Sequence, residues 1–346
     1  MSRPQFARDG DGPALRRIIA EGSHSFYAAS RLLPRPVREA AFALYGFCRA
    51  CDDAIDETKG GAERITGLYR RLERAYAGTP DNTVVDRAFA DAVERYAIPK
   101  ALPAGLIEGL DWDDQGRTYD SIKDLHGYAA RVAGTVGAMM ALVMGARSQT
   151  ALARATDLGA AMQLTNIARD VGEDALRGRL YLPLDWLAEE GVSPDALLSS
   201  PEASPGLRRV VARLLGEADR LYVRGLTGVS YLPAGCRSAI RAAGLIYAEI
   251  GTSIARAEHD TVRARARVTG PRKLALVAKA VAQQKLTAPE PSIAPSLAAN
   301  QFLLDAVSAA PPPRVRAVLA DLAPVDRMLE VCLRLNTRNL MEETAR

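Results

Sequence analysis

Two stretches of this chain carry carboxylates at a spacing that could hold a metal ion. In the first, between Tyr45 and Glu57, Asp52 and Asp56 stand four residues apart. Four helical residues turn by about 400°, so both carboxylates share one face, and Arg49, three before Asp52, joins it. Like charges at this spacing repel. A divalent cation would relieve them, because Mg²⁺ takes oxygen ligands, keeps several waters and bridges carboxylates to phosphates. A solvated acidic helix end is the alternative.

The second stretch repeats the pattern. Gln163, Asn166, Asp170 and Asp174 fall at i, i+3, i+7 and i+11, one continuous stripe. The residues just before, 151–162, are mostly apolar or small, which marks a core helix whose polar stripe faces inward. Buried polar groups are costly unless satisfied. Two such helices facing each other would make a metal cluster lined by Arg49 and Arg169. That is a diphosphate site, where cations neutralise charge developing on a leaving group.

Helices must position these groups. Ala, Leu and Arg dominate the 346 residues, aromatics are 5%, and the β-branched and aromatic runs that mark strands are scarce. Helical periodicity runs over 38–56, 62–76, 84–95, 125–144, 150–174, 205–227 and 236–258, and prolines punctuate the breaks. Within 125–144, Gly134 and Gly137 imply close helix approach or room for a ligand. Residues 287–295 and Pro311 to Pro313 read as linker. The amphipathic stretch 315–340 reads as helix, free to dock on the core, a partner or a membrane. The organisation is one domain over 1–285, then a linker and helical extension over 286–346.

Composition excludes several classes. The net charge of +4, carried mainly by Arg, fits anionic substrates and does not demand nucleic acid. Four cysteines are too few for a disulfide framework, so a reducing compartment is expected. Cys48 and Cys51 read as helix-packing thiols, and His24, His126 and His259 are too scattered for zinc. There is no βαβ alternation and no Gly-rich phosphate loop. No apolar leader opens the chain, and the longest apolar run, 132–145, is too short to span a bilayer.

At this point the sequence resembles the squalene/phytoene synthase family, and within it the bacterial phytoene synthases. The resemblance rests on Ser25-Phe26, the run Ala29 to Pro34, both aspartate motifs, and Arg177 to Pro183, and it covers roughly 15–285. It implies an all-α, single-domain bundle of the isoprenoid synthase type with a central cavity. It makes Asp52, Asp56, Asp170 and Asp174 ligands of Mg²⁺, with Mn²⁺ as a second candidate. Arg49, Arg169, Arg179 and Tyr181 match the diphosphate side, and Gln163 and Asn166 the polar stripe. Tyr128 matches a cavity tyrosine proposed to move a proton or steady cations. Ser25, Phe26 and Tyr247 match the substrate end. Two departures, Ala129-Ala130-Arg131 in place of an aromatic-rich stretch and Leu176 in place of a second basic residue, leave cavity shape and chain length open.

The implied reaction joins two geranylgeranyl diphosphates head to head through a cyclopropyl diphosphate to phytoene, the first committed step of carotenoid biosynthesis, without NADPH. Competing readings are a C15 enzyme making squalene, dehydrosqualene or hydroxysqualene, and a non-catalytic helical assembly protein. The latter should have lost carboxylates that are intact here. The expected location is cytoplasmic, peripheral on the inner membrane face and in reach of carotenoid-pathway enzymes. Arg263, Arg265, Arg267, Arg272 and Lys273 would meet anionic lipid; a solvated charged face is the plainer account of that run.

Overall fold

Capping residues and prolines set where the helices begin. Ser204 accepts the Leu207 N–H ahead of Pro205 at the first helical position, Ser148 accepts from Ala151, and Ser121 with Asp124 forms a capping box. Each such cap contributes about 1 kcal/mol. In the computed structural model, which describes residues 6–8, 10–57, 61–283 and 294–311, these signals delimit fifteen α-helices among the described residues. They are α1 (Asp11–Gly22), α2 (His24–Ser30), α3 (Arg35–Glu57), α4 (Gly61–Tyr76), α5 (Val84–Arg95), α6 (Ala101–Asp114), α7 (Ile122–Ala129), α8 (Thr135–Val143), α9 (Gln149–Leu176), α10 (Leu184–Glu189), α11 (Pro194–Ser199), α12 (Pro205–Thr227), α13 (Ala234–Arg256), α14 (Gly270–Ala282) and α15 (Gln301–Ala309). The extension 315–340 and most of the 287–295 linker lie outside the described residues.

Helix α9 is the axis. It packs along α12 and α8 and also meets α13, so it is buried on nearly every face, from Leu152 through Leu164 to Val171. A helix apolar all round belongs at the centre of a bundle. Glycines sit where α8 and the turn before it approach α9. A side chain at Gly159 would run into the Ala133 carbonyl, and one at Gly137 into the Ala155 carbonyl. The helices on either side of that line therefore touch backbone to backbone.

The expected helix over 125–144 is split. A π-turn, Ala130–Gly134, joins α7 to α8. The Thr135 N–H reaches back to the Ala130 carbonyl, which takes from the Arg131 carbonyl its usual donor. The Thr135 hydroxyl donates to that carbonyl instead. Single π-turns of this kind recur at functional sites. Among the described residues no helix is long and apolar enough to cross a membrane.

Candidate active site

An apolar cavity of about 300 Å³ lies inside the bundle. Ala, Leu and Met side chains and glycine backbone, mainly from α2, α3, α8, α9 and α13, line it. Gln163, Asn166, Tyr45, Cys48, Phe26 and Tyr247 are among its lining. Phe26 packs against Tyr247 and Tyr45 with ring centroids 5.3 and 6.5 Å apart. Ser25 is half-buried on α2 and is not among the lining residues, whereas Ser30 from the same helix is. The Asn166 amide donates to Gln163 at 3.5 Å, and its own Oδ1 is buried without a partner among the described residues.

Helix α3 carries the first aspartate motif. Arg49 pairs with Asp53 at 2.6 Å and reaches Asp52 only at 3.9 Å, and all three are about half exposed. The backbone of α3 continues through Asp56, but the Asp56 side chain lies outside what the structure describes.

Helix α9 carries the second. Arg169 clamps Asp170 with Nε to Oδ1 at 2.7 Å and Nη2 to Oδ2 at 2.5 Å. Arg265 grips the same carboxylate from the opposite strand of chain, at 2.8 and 3.0 Å, and lies 3.5 Å from Glu173. Asp170 is thus held by two guanidiniums. Burial and the neighbouring Asp170 carboxylate push Asp174 up to about 7, against the pull of Arg179 and Arg177. The turn that returns Arg179 to this end needs Gly178, whose φ of 73° is a conformation L side chains rarely adopt. The Arg179 N–H closes it on the Asp174 carbonyl at 2.9 Å.

One acidic residue ties the two motifs together. Asp113, at the end of α6, accepts hydrogen bonds from the Tyr181 hydroxyl at 2.7 Å and the Tyr128 hydroxyl at 2.8 Å. Burial pushes its carboxyl up to about 6, and the two phenols and Arg179 oppose that rise. The Asp52 charge acts on Asp113, and the Asp113 charge acts on Asp174, so carboxylates of both motifs share one field. Tyr181 stacks on Tyr128 and Tyr119, and those two meet tilted, with centroids 5.1 to 6.3 Å apart, and burial drives the Tyr128 phenol well above its ordinary pKa.

The candidate ligands here are oxygen donors, the set that suits a hard divalent cation rather than a thiophilic one. Among the described residues no three acidic, His or Cys side chains already converge on a single point. Burial raises Asp174 most and repulsion from Asp170 adds to it, and a bound cation would relieve that repulsion. The donor chemistry therefore fits Mg²⁺.

With this geometry in hand, comparison places the chain. The squalene/phytoene synthase family model matches residues 19–272. This chain belongs to the squalene/phytoene synthase family. It is 49% identical over 300 residues to the phytoene synthase of Rhodobacter capsulatus, covering 83% of this chain and 88% of that one. It is 46% identical over 345 residues to the phytoene synthase of Cereibacter sphaeroides, covering 92% and 95%. Among solved structures it resembles a dehydrosqualene synthase in complex with a ligand, at a TM-score of 0.75 and 29% identity, covering 81% of this chain and 98% of that one. The fold is the all-α bundle that the family resemblance implies, and the chain is an enzyme of the prenyltransferase type.

Sequence reading missed two members of this site. Asp113 sits in the run Leu110 to Asp114, beyond the periodic segments, and nothing in its spacing sets it apart from Asp111 and Asp114 beside it. Arg265 was hidden in the basic run 263–273. That run is irregular near Arg265, so no periodicity says where each arginine points, and only the fold shows that this one turns to Asp170 while Arg272 pairs with Glu249 at 2.8 Å.

Proposed function

We propose that this chain joins two molecules of geranylgeranyl diphosphate head to head to give phytoene, through a cyclopropyl diphosphate. The observation that carries this reading is an apolar cavity lined by Gln163 and Asn166, one to two turns before the Asp170 that Arg169 and Arg265 grip on the same helix, in a chain 49% identical to a protein named phytoene synthase. Asp52, Asp56, Asp170 and Asp174 would hold Mg²⁺, or Mn²⁺ in its place, and the bound ions would supply charge neutralisation to the departing diphosphates. Arg49, Arg169, Arg179 and Arg265 orient the diphosphate oxygens. Gln163 and Asn166 present amides beside them, and Phe26 with Tyr247 steadies the allylic chain.

Two C–O bonds break and two protons leave overall. The condensation is then redox-neutral, and no NADPH is expected. Tyr128, paired with Tyr181 on Asp113, is the group proposed to hold or relay a proton. The apolar lining excludes water from the carbocations. The C15 reading stays in play because a solved relative at 29% identity is a dehydrosqualene synthase.

Purified protein with Mg²⁺ is expected to turn the C20 diphosphate into a C40 triene, without NADPH, as read by product mass. A C30 product from farnesyl diphosphate, with none from the C20 substrate, would overturn the chain length. No condensation of either would overturn the enzyme assignment.

Peripheral contact with an anionic membrane is proposed from the basic run 263–273, through Arg263, Arg267 and Lys273, since Arg265 and Arg272 are held by Asp170 and Glu249. Co-sedimentation with vesicles containing an anionic lipid is expected at low salt and is lost on raising it. Failure to sediment at low salt would remove the membrane claim.

A further inference from the structure

The segment 294–309 lies beyond the stretch matched by the family model, and nothing assigned above uses it. It is nonetheless tied into the body at four places. First, Arg154 of α9 donates to the Ala294 carbonyl at 2.7 Å and Arg224 of α12 to the Pro295 carbonyl at 2.5 Å. Both arginines also meet Asp157 at 3.1 Å, which in turn accepts the Leu297 N–H. Arg154 and Asp157 are fully buried, so this is a desolvated charge cluster whose geometry tolerates little movement.

Second, Asn300 is fully buried against Gly134 of the π-turn. Third, Leu303, Leu304 and Val307 are buried in the groove between α6, α8 and α9, and Gln149 donates to the Leu304 carbonyl at 3.3 Å. Fourth, Phe302 lies on Gly105 of α6 and under the Arg131 guanidinium at 5.1 Å. Arg131 also covers Trp112 at 4.2 Å, and Trp112 precedes Asp113.

These contacts fall on elements whose other faces line the cavity, through Val132, Ala133 and Val136 on one side and Ala155 and Gly159 on the other. Because α9 and the π-turn touch backbone to backbone at Gly159, a shift of the turn has no soft side chain to absorb it. It would be passed to α9, which carries the second aspartate motif.

We infer that residues 294–309 form a brace, with Phe302 as a positioning residue, that holds the π-turn against α9 from outside the cavity and so keeps the prenyl-binding wall and Asp113 in register for turnover. The inference rests on the prenyl-diphosphate reading above for its effect on turnover, and on contacts alone for its mechanical part.

The test uses the full chain and three variants, Phe302→Ala, Phe302→Leu and Phe302→Tyr, read by amide hydrogen exchange and by steady-state kinetics. Phe302 is only partly buried, so folding should survive each change. In Phe302→Ala, amides over 128–137 should exchange roughly 10-fold faster while α12 and α13 keep their protection. The kcat should fall by roughly 10-fold with KM little changed, since a slack wall misplaces bound substrate more than it weakens diphosphate binding. Phe302→Tyr should restore both, and Phe302→Leu, which keeps bulk but no ring face for Arg131, should restore neither fully.

Unchanged exchange over 128–137 would overturn the brace, as would faster exchange with unaltered kcat. A uniform rise in exchange across α12 and α13 would also overturn it, because that is general destabilisation. If the unmodified chain condenses no prenyl diphosphate, the substrate reading fails, and the exchange result alone then decides the mechanical claim.

Discussion

Asp170→Asn is expected to lower turnover by about 10³-fold while leaving the helical circular dichroism signal intact, the scale of loss seen when a preorganised charge-stabilising group is removed. The substitution preserves shape and removes charge. Asp170 is the carboxylate that Arg169 and Arg265 both grip in bidentate fashion. An amide in its place leaves two guanidiniums facing each other and takes one oxygen anion from the proposed cation set. Helix α9 itself is held by apolar burial through Leu164, Ile167 and Val171, which the change does not touch. Asp52→Asn tests the first motif, where the same loss is expected without the arginine rearrangement. Near-normal turnover in both variants would sink the metal assignment.

Asp113→Asn should cost about 10²-fold in turnover and should also alter how stability depends on pH. Asn has one acceptor oxygen and an NH2 donor where Asp113 offers two acceptors, so only one of Tyr128 and Tyr181 can go on donating and the other must turn its hydroxyl to accept. The change also removes the charge on which both phenols act.

The sign of the pH effect follows from the raised carboxyls. Asp113 at about 6 and Asp174 at about 7 both hold protons in the folded chain that they have already lost when unfolded, near 3.8. The folded state therefore binds more protons across this window. Metal-free stability should fall as pH rises from about 5.5 to 7 and level off above that. Carboxyls held below their ordinary range, such as Glu217 at about 2, finish their opposite contribution at lower pH. Thermal unfolding in chelator at pH 5.5, 6.5 and 8 checks this. Mg²⁺ with diphosphate should restore more stability at pH 8 than at 5.5, because the ion binds the ionised forms. A melting temperature that climbs from 5.5 to 8 without metal would show that these two carboxyls are not the raised pair. Asp113→Asn should shrink the fall without removing it, since Asp174 remains.

Several features were readable from residues alone because they depend on local geometry. The four-residue spacing of Asp170 and Asp174 on one helix follows from the helical repeat. The bounds of α5 and α12 match the periodic segments 84–95 and 205–227 because Thr83 and Ser204 cap them unambiguously. The inward polar stripe of α9 followed from the small apolar residues around it, and in the fold Gln163 and Asn166 do line the cavity. The all-helical architecture followed from propensity and proline placement.

What only the tertiary structure decided are contacts between residues far apart in the chain. Asp113 meets Tyr181 across 68 positions and Asp170 meets Arg265 across 95. No periodicity encodes such a pair, because it depends on how helices cross rather than on how each one turns. The π-turn is another case. Nothing local in Ala130 to Gly134 announces an extra residue per turn; in the fold the turn lies against α9 at Gly159, and the Thr135 hydroxyl satisfies the Arg131 carbonyl it frees. The docking of α15 is the third. Its Leu303, Leu304 and Val307 form too short an apolar face to announce itself between two proline-rich stretches, and the groove that receives it exists only once α6, α8 and α9 have assembled. Sequence thus determined which groups the chain brings to the chemistry and on which helices. Packing, by burying some carboxyls and pairing others with distant guanidiniums, decided their charge and their partners.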